Sequence, residues 1–298
     1  MIENLKECKL CPFECKVNRL EGKKGRCNCD DKLLIALSSL HYYEEPCISG
    51  QNGSGTVFFT NCNLKCKYCQ NYEISQLQKG KEITIHKLAE IFLKQQQRGA
   101  NNINLVTPTS YVYQIIEALD IAKKKGLTIP IVYNTNGYEK KETIALVKGY
   151  VDVYLPDLKY YNNELAKKYS GVENYFETAT EAIKEMYDQV GSPVFDEKGI
   201  IKKGVIIRHL VLPNHILNTK NILKWVKENM PSDTYISVMA QYFPAYKAKD
   251  DELINRKLTK KEYKQVEQYL YSLNLENGYM QELGEHEEEY VPDFDLSC

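Results

Sequence analysis

Three closely spaced cysteines are the residues whose types and spacing suggest chemistry most directly. Cys62, Cys66 and Cys69 lie in the segment NCNLKCKYCQN and follow the pattern Cys-x3-Cys-x2-Cys. Thiolates on one short loop can bind one face of an iron–sulfur cluster. Three protein ligands leave one iron of a four-iron cubane open, and an open metal position makes room for a small molecule. The alternative is a zinc site that a distant residue completes.

A second group of cysteines lies near the N-terminus. Cys8, Cys11 and Cys15, followed by Cys27 with Cys29 as the alternative ligand, make a set of four thiolates. A closed set of four cysteines is typical of a structural metal site, and the spacing suits zinc or a second [4Fe–4S] cluster. Reduced free thiols are the alternative. Disulfides are disfavoured because the polar start of the chain does not resemble an export signal.

The elements that must position the three-cysteine loop are apolar strands that alternate with helices. Strands are predicted at 56–59, 103–107, 131–135, 151–158, 204–212 and 234–243, with helices between them. This pattern predicts a parallel sheet covered by helices, either a partial (β/α)6 TIM-like barrel or a doubly wound sheet. In both arrangements the site lies at the C-terminal ends of the strands, and the three cysteines directly follow the first strand.

The chain divides into three predicted parts. Residues 1–50 form an irregular cysteine-rich segment, residues 51–245 the (β/α)6 core, and residues 246–298 a C-terminal helix with an acidic tail. A hairpin is expected at 191–204. The net charge of −1 disfavours broad binding to nucleic acid or anionic membranes, and the absence of a long apolar run predicts a soluble cytoplasmic protein.

The three-cysteine motif, with Tyr68 directly before its last cysteine, resembles the signature of the radical S-adenosylmethionine (SAM) superfamily. This resemblance implies a [4Fe–4S] cluster on Cys62, Cys66 and Cys69, SAM on the remaining iron, and a partial (β/α)6 barrel. It also implies reductive cleavage of SAM to a 5′-deoxyadenosyl radical that abstracts hydrogen from a substrate.

The stretch EEPCISGQNGSGTVFFTNCNLKCKYCQNYEIS is similar to the pyruvate formate-lyase activating enzyme-like (PflX-like) group. That similarity implies a flavodoxin- or ferredoxin-type electron donor and a protein or peptide substrate, with a glycyl radical enzyme as one case. The alternatives are radical modification of another peptide or a small molecule, and a non-enzymatic electron-transfer or metal-binding module.

Several residues after the later strands are candidates for binding SAM. The resemblance transfers a SAM-side role to Asp157 and Lys159 in LPDLKYY, with a buried ion pair as the alternative. Many superfamily members carry an acidic motif after the second strand, whereas this chain offers only uncharged oxygen acceptors there. The candidates at that place are Asn104, Thr107 and Thr109.

Two further strands add candidates. Asn134 and Asn136 in YNTNGY are expected to hydrogen-bond SAM, with a plain turn as the alternative. By resemblance, His209 is expected to face SAM, and Arg208 then faces the helices because adjacent strand residues point to opposite sides. We also expect Glu44 and Glu45 to reach the barrel mouth, Gln241 and Tyr242 to line the substrate end, and the acidic tail to act as a lid. His41, His86, His215 and His286 are interpreted as surface or core residues, and Cys47 and Cys298 are unassigned.

Overall fold

The computed structural model of the chain describes residues 1–284 and 292–297. The predictions made for His286, Cys298 and most of the acidic tail lie outside these residues. The strands are β1 (Leu33–His41), β2 (Ser54–Phe59), β3 (Lys81–Ile83), β4 (Ile103–Val106), β5 (Ile131–Thr135), β6 (Val153–Pro156), β7 (Val194–Phe195), β8 (Ile201–Leu210), β9 (Tyr235–Met239) and β10 (Gly278–Met280). The helices are α1 (Pro46–Ser49), α2 (Tyr72–Ser75), α3 (Ile85–Gln97), α4 (Val112–Lys124), α5 (Lys141–Leu146), α6 (Asn163–Ser170), α7 (Tyr175–Val190), α8 (Ile216–Asn229) and α9 (Lys260–Ser272).

Parallel strands form the centre of the sheet in the order β2-β4-β5-β6-β8-β9. This order follows the chain without a reversal, whereas a doubly wound sheet reverses its order at the switch point. Helices connect successive strands, as in a barrel. In the described part of the chain, the sheet runs from β3 at one edge to β10 at the other, so the barrel is open. The predicted partial (β/α)6 fold is confirmed.

Local signals explain the helices that cover the sheet. In α3, the Thr84 side chain accepts a hydrogen bond from the Lys87 N–H at 3.1 Å and so caps the first turn. Leu88, Ile91 and Phe92 lie on one face and are buried. Burying each such side chain stabilises the fold by roughly 1.5–3 kcal/mol, which anchors the helix on the sheet.

The two ends of the chain extend the sheet beyond the core. The prediction that the first fifty residues are irregular is wrong for β1, which pairs antiparallel with β2. At the other edge, β10 adds a parallel strand to β9. The expected hairpin within 191–204 is confirmed, because β7 pairs antiparallel with β8. No helix in the described residues is long and apolar enough to cross a membrane.

The described end of the tail folds back over the sheet. Phe294 is buried and packs edge-to-face on Phe58, with ring centroids 5.4 Å apart. The Ser38 N–H donates to the Ser297 carbonyl at 3.0 Å, so the tail follows β1 at this point. Because Phe58 also lines the cavity described below, the tail reaches the rim of the candidate site.

Candidate functional site

A cavity of about 210 Å³ lies at the C-terminal ends of the parallel strands. Cys62, Cys66 and Cys69 line one side of it, on the loop that follows β2. The other side carries residues from the ends of β4, β5, β6 and β8. Those polar residues are Thr107, Asn134, Asn136, Asp157, Lys159 and Arg208. The fold thus gathers side chains that are up to 146 positions apart between Cys62 and Arg208.

Each thiol of the loop lies within hydrogen-bonding distance of a side chain that can donate to it. These donors come from the loop after β5, from α6 and from α2. The pairs are Cys62 with Asn136 Nδ2 (3.2 Å), Cys66 with Ser170 Oγ (2.9 Å) and Cys69 with Ser75 Oγ (3.2 Å). Donors aimed at sulfur stabilise thiolates and tune the potential of an iron–sulfur cluster.

The three thiols are protonated unless a cation joins them. Burial and the neighbouring thiols raise the pKa of Cys62 to about 12 and that of Cys69 to about 11, and burial raises the pKa of Cys66. Metal ions reverse this effect because they deprotonate the thiols that bind them. In residues 1–284 and 292–297, no group of three or more His, Cys, Asp or Glu side chains is placed to hold a single metal ion. A cubane takes its thiolates on different irons, and three thiols around one cavity suit that requirement.

A half-buried charge network forms the opposite wall of the cavity. Asp157 accepts hydrogen bonds from Lys159 Nζ at 2.6 Å and from Arg208 Nε at 3.1 Å. Burial alone would raise the pKa of Asp157, but Lys159 and Arg208 outweigh it and hold that pKa below its usual value. The carboxylate is therefore ionised, and both cations are held at the cavity wall.

Glu44 supplies the negative charge that the end of β4 lacks. One of its oxygens accepts from Asn104 Nδ2 at 3.0 Å and from Asn134 Nδ2 at 3.2 Å, and the other accepts from Arg208 Nη1 at 3.1 Å. This carboxylate comes from the segment between β1 and α1, far from β4 in the chain. Glu44 also lines the cavity, so its predicted position at the barrel mouth agrees with the structure.

The predicted orientation of His209 is wrong. His209 points away from the cavity, with Nδ1 at 2.7 Å from the Leu158 carbonyl and Nε2 at 2.9 Å from Thr219 Oγ1 of α8. Arg208 lines the cavity instead. Alternation along β8 allows only one of these neighbours to face inward, and the strand register selects Arg208.

Other predicted residues take different places. Thr107 lines the cavity with φ of +60°, a conformation that β-branched residues rarely adopt. Asn104 lies below the cavity, bound to Glu44. Gln241 lines the cavity as expected, whereas the Tyr242 hydroxyl points to the Ile254 carbonyl and the prediction for Tyr242 is wrong.

The remaining predicted residues divide between the cavity and its surroundings. The sequence-based interpretation of His41 as a surface or core residue is incomplete, because His41 lines the cavity and packs edge-to-face on Phe58. His86 is exposed, and His215 lies 2.9 Å from the Tyr169 hydroxyl. Cys47 is buried outside the cavity, against Tyr279.

Sequence reasoning missed Glu139, which joins two strand-end loops. One of its carboxyl oxygens accepts from Thr109 Oγ1 at 2.6 Å and from Thr135 Oγ1 at 2.5 Å. The prediction that Thr109 faces SAM is therefore wrong. The other oxygen of Glu139 has no hydrogen-bond partner among the described residues, and burial raises the pKa of Glu139 to about 7. No spacing marked this residue, because its partners lie on other loops.

The N-terminal thiols lie close to one another, and a buried arginine lies beside three of them, Cys8, Cys27 and Cys29. Cys8, Cys15 and Cys27 are close enough to Cys11 to raise its pKa, although burial is the larger cause. Arg19 is 1% exposed, donates to the Asp30 and Ser110 carbonyls, and lies 3.9 Å from Cys8 Sγ. Its Nη2 atom has no partner among the described residues. An unpaired buried cation among thiols suits a group of thiolates that carries negative charge.

Cys29 is the alternative ligand in this group. A hydrogen bond from Cys29, joined by Ser110 and Arg19, lowers the pKa of Cys27 to about 5 against the cost of burial. Cys29 Sγ also lies 3.6 Å from the Tyr111 hydroxyl. Both Cys27 and Cys29 therefore lie beside the other N-terminal thiols, and the ligand set of Cys8, Cys11, Cys15 and Cys27 stays a prediction.

Comparison with known proteins agrees with this site. Residues 56–197 match the model of the Radical SAM superfamily. The chain is 36% identical over 285 residues to the uncharacterized protein MJ0674 of Methanocaldococcus jannaschii, covering 91% of this chain and 76% of that protein. It is 24% identical over 248 residues to the pyruvate formate-lyase-activating enzyme of Clostridium pasteurianum, covering 76% of this chain and 93% of that enzyme.

A solved structure has a similar fold. The crystal structure of Streptococcus suis SuiB bound to precursor peptide SuiA superposes with a TM-score of 0.50 at 18% identity, over 74% of this chain and 46% of that chain. The fold and the three-thiol cavity define a radical enzyme built on an open (β/α)6 barrel. The chain belongs to the radical SAM superfamily, whose members use a [4Fe–4S] cluster and SAM.

Proposed function

We propose that this radical SAM enzyme abstracts a hydrogen atom from a peptide or protein substrate, as an activating enzyme does with a glycine of its partner. The observation that carries the proposal is the shared cavity, in which three thiols face a half-buried network of charged strand-end residues. The similarity to a pyruvate formate-lyase-activating enzyme over 76% of the chain supports the choice of substrate class.

In this proposal Cys62, Cys66 and Cys69 hold the [4Fe–4S] cluster. When bound, the cluster would pass one electron from a flavodoxin- or ferredoxin-type donor to SAM, and the reductive cleavage of SAM would supply the hydrogen-abstracting power for the substrate, with methionine and 5′-deoxyadenosine as products. Hydrogen bonds from Ser170 and Asn136 to the cysteine sulfur atoms hold the thiolates in place. The rest of the chain positions SAM and keeps water out.

The charged wall of the cavity suits the polar groups of SAM. Glu44 and Asp157 carry carboxylates that an ammonium can approach, and Lys159 and Arg208 carry cations that a carboxylate can approach. Their mutual ion pairs hold all four side chains in fixed positions before SAM arrives. Preorganised charges need little rearrangement on binding, which favours affinity. Asn134 and Asn136 add neutral donors on the same wall.

We also propose that the N-terminal thiols hold a second metal centre on Cys8, Cys11, Cys15 and Cys27. A [4Fe–4S] cluster suits thiols that do not surround a single ion in the described residues, and zinc is the alternative. The support is the buried Arg19, whose charge needs a permanent anionic partner. Metal analysis of the purified protein tests this assignment. Two clusters give about eight irons per chain, whereas one cluster and one zinc give about four irons and one zinc.

The decisive experiment on the core function is anaerobic reconstitution with iron, sulfide, SAM and a one-electron reductant, followed by quantification of 5′-deoxyadenosine. Alanine at Cys62, Cys66 or Cys69 is expected to abolish the product. Alanine at Cys47, which is buried outside the cavity, is the matched control and is expected to retain it. Product formation by the three loop variants would overturn the proposal.

The substrate class needs its own test. Glycine-containing peptides deuterated at the glycine α-carbon are supplied to the reconstituted enzyme, and 5′-deoxyadenosine is analysed by mass spectrometry. Transfer of deuterium into 5′-deoxyadenosine supports hydrogen abstraction from a peptide backbone. The peptide assignment would be wrong if SAM were cleaved without deuterium transfer from any such peptide and deuterium were transferred from a deuterated small molecule instead.

A further inference from the structure

A second cavity adjoins the first one. Its volume is about 360 Å³, and it shares Glu44, Arg208 and Gln241 with the cavity that contains the three thiols. It extends toward the edge of the sheet, where Tyr279 of β10 and Ser237 of β9 line it. A group bound here therefore lies directly beside the position where SAM is expected, separated from it by the Glu44–Arg208 ion pair.

Glu45 is the unusual residue of this second cavity. Its side chain is buried, with 8% exposed, and Oε2 has no hydrogen-bond partner among the described residues. Burial raises the pKa of Glu45, and the nearby Arg208 and Ser237 offset only part of that effect. An unpaired carboxyl oxygen in the interior is destabilising unless a partner arrives, so this atom is poised for a donor that the described residues do not provide.

The cations at the site are already paired with other groups. Arg208 donates to Asp157, Glu44 and Asn134, and Lys159 donates to Asp157. Glu44 and Asp157 already pair with these two cations, so the described residues leave no cation for Glu45. A cation that arrives with the substrate would stabilise the ionised form of Glu45, and the atom that lacks a partner is its Oε2.

The walls of the cavity suit an organic cation better than a metal ion. Tyr42, Tyr43 and Tyr279 supply aromatic rings, and Met239 and Met280 supply flexible apolar surface. Aromatic faces attract ammonium and guanidinium groups, and apolar side chains pack against an alkyl stem. A carboxyl group at the end of an aromatic and thioether-lined cavity is therefore the environment that a lysine- or arginine-like side chain requires.

We propose that this second cavity binds a cationic side chain of the substrate, an alkylammonium or guanidinium group, and that Glu45 determines this specificity. The inference rests on the proposed function in one respect: the cavity is a substrate site only if a radical forms beside it. A peptide substrate would then carry a basic residue close to the residue that loses hydrogen.

Calorimetric titration of the reconstituted protein with and without SAM tests this specificity. The probes are Nα-acetyl-lysine N-methylamide and its neutral counterpart, Nα-acetyl-norleucine N-methylamide. The wild-type protein is expected to bind the lysine probe roughly tenfold or more tightly than the norleucine probe, in both the presence and the absence of SAM. Glu45→Gln is expected to remove most of this preference, while Glu282→Gln, at an exposed position, retains it.

Two outcomes would overturn the inference. The first is equal affinity for both probes in the wild type or an undiminished preference in Glu45→Gln. The second is complete displacement of the lysine probe by SAM, which would assign Glu45 to the SAM site. Thermal unfolding serves as the control for misfolding. Replacing a buried carboxyl group that lacks a partner by a neutral amide is expected to leave the Glu45→Gln midpoint equal to or above that of the wild type. Binding is measured without radical chemistry, so this result and the 5′-deoxyadenosine result can fail independently.

Discussion

The two groups of cysteines in this chain differ in access and in charge. The loop thiols line a cavity, and the donors beside them are neutral side chains such as Asn136 and Ser170. The N-terminal thiols do not line that cavity, and three of them, Cys8, Cys27 and Cys29, lie near the buried guanidinium of Arg19. A built-in cation favours a permanent anionic centre, whereas neutral donors beside a cavity leave room for a cofactor that brings its own charge.

Among the N-terminal thiols, Cys27 differs from the loop thiols in its pKa. The hydrogen bond from Cys29, with help from Arg19, lowers the pKa of Cys27 to about 5, whereas burial raises the pKa of Cys11 to about 12, as it does that of Cys62. The two regions are nevertheless close neighbours. The Tyr111 hydroxyl lies 3.6 Å from Cys29 Sγ and 3.4 Å from the side-chain nitrogen of Asn61, the residue before Cys62. One tyrosine therefore links a closed site to an open one.

The largest expected difference between the two cysteine groups is whether the protein still responds to SAM after one cysteine is removed. Cys66→Ala is expected to abolish SAM cleavage, because the cluster loses one of its three ligands. Cys11→Ala is expected to remove the second metal while the first cluster still changes its electron paramagnetic resonance signal when SAM is added. Iron and zinc content and the spectra of both variants provide the measurement. If Cys11→Ala also lost every response to SAM, the two regions would form a single functional unit.

Arg19→Met tests whether the N-terminal thiols carry negative charge, by its effect on the free energy of unfolding. Removing the buried cation leaves the thiolate charge unbalanced, and the expected loss is about 3–5 kcal/mol of unfolding free energy in the metal-loaded protein. Anaerobic denaturant titration measures this loss. The exposed Arg98→Met is the control, with an expected change of about 0.5 kcal/mol or less. A neutral result for Arg19→Met would show that the N-terminal site carries little negative charge.

Glu139 lies between the two groups of cysteines, since its neighbour Lys140 pairs with Glu14 of the N-terminal segment. Its ionisation is expected to make the stability of the protein depend on pH. The pKa of Glu139 is raised from its ordinary 4.5 to about 7, so the folded chain binds more protons than the unfolded chain between these pH values. Ionising this buried carboxyl group therefore lowers stability as the pH rises from about 4.5 to 7, by roughly 3 kcal/mol. Above pH 7 the contribution is constant.

The corresponding variants isolate this contribution. Glu139→Gln is expected to flatten the dependence of unfolding free energy on pH over this interval, and Glu142→Gln, at an exposed neighbouring position, is expected to leave it unchanged. Denaturant titrations at about pH 5, 6 and 7 give the unfolding free energies to be compared. An unaltered slope in Glu139→Gln would assign the pH dependence to other groups.

The smallest predicted effect concerns the donors to sulfur. Ser170→Ala removes a hydrogen bond to Cys66 that favours the more negative, reduced cluster. The reduction potential is expected to fall by roughly 20–60 mV, which corresponds to about 0.5–1.5 kcal/mol for one electron. A redox titration followed by electron paramagnetic resonance measures the change, with the exposed Ser272→Ala as control. An unchanged potential would show that this hydroxyl does not tune the cluster.

The core fold could be predicted because its strands are short apolar runs separated by helices with apolar residues at helical spacing. β1 was missed since it lies in a cysteine-rich segment and pairs antiparallel, outside the β–α alternation that made the other strands visible. β10 is only three residues long, too short to produce a pattern. Periodicity thus reveals the repeated units, and the strands that extend them depend on tertiary pairing.

The site was predictable where its residues share one local segment. Cys62, Cys66 and Cys69 sit on one loop, and Asp157 and Lys159 lie two positions apart at a strand end, so spacing predicted their proximity and the resemblance implied the role of the last two. Glu44 and Glu139 meet their partners only through the fold. The choice between Arg208 and His209 depends on strand register, which the sequence of β8 alone does not determine because both neighbours are polar.

The central claim is that the loop thiolates leave one iron of their cluster for SAM. The most direct measurement is electron–nuclear double resonance on the reduced Cys11→Ala protein with SAM labelled by ¹⁵N at the amino group and ¹⁷O at the carboxylate. The account predicts hyperfine coupling from both labels that disappears when unlabelled SAM replaces them. A cluster spectrum that SAM does not alter, with no coupling from either label, would contradict it.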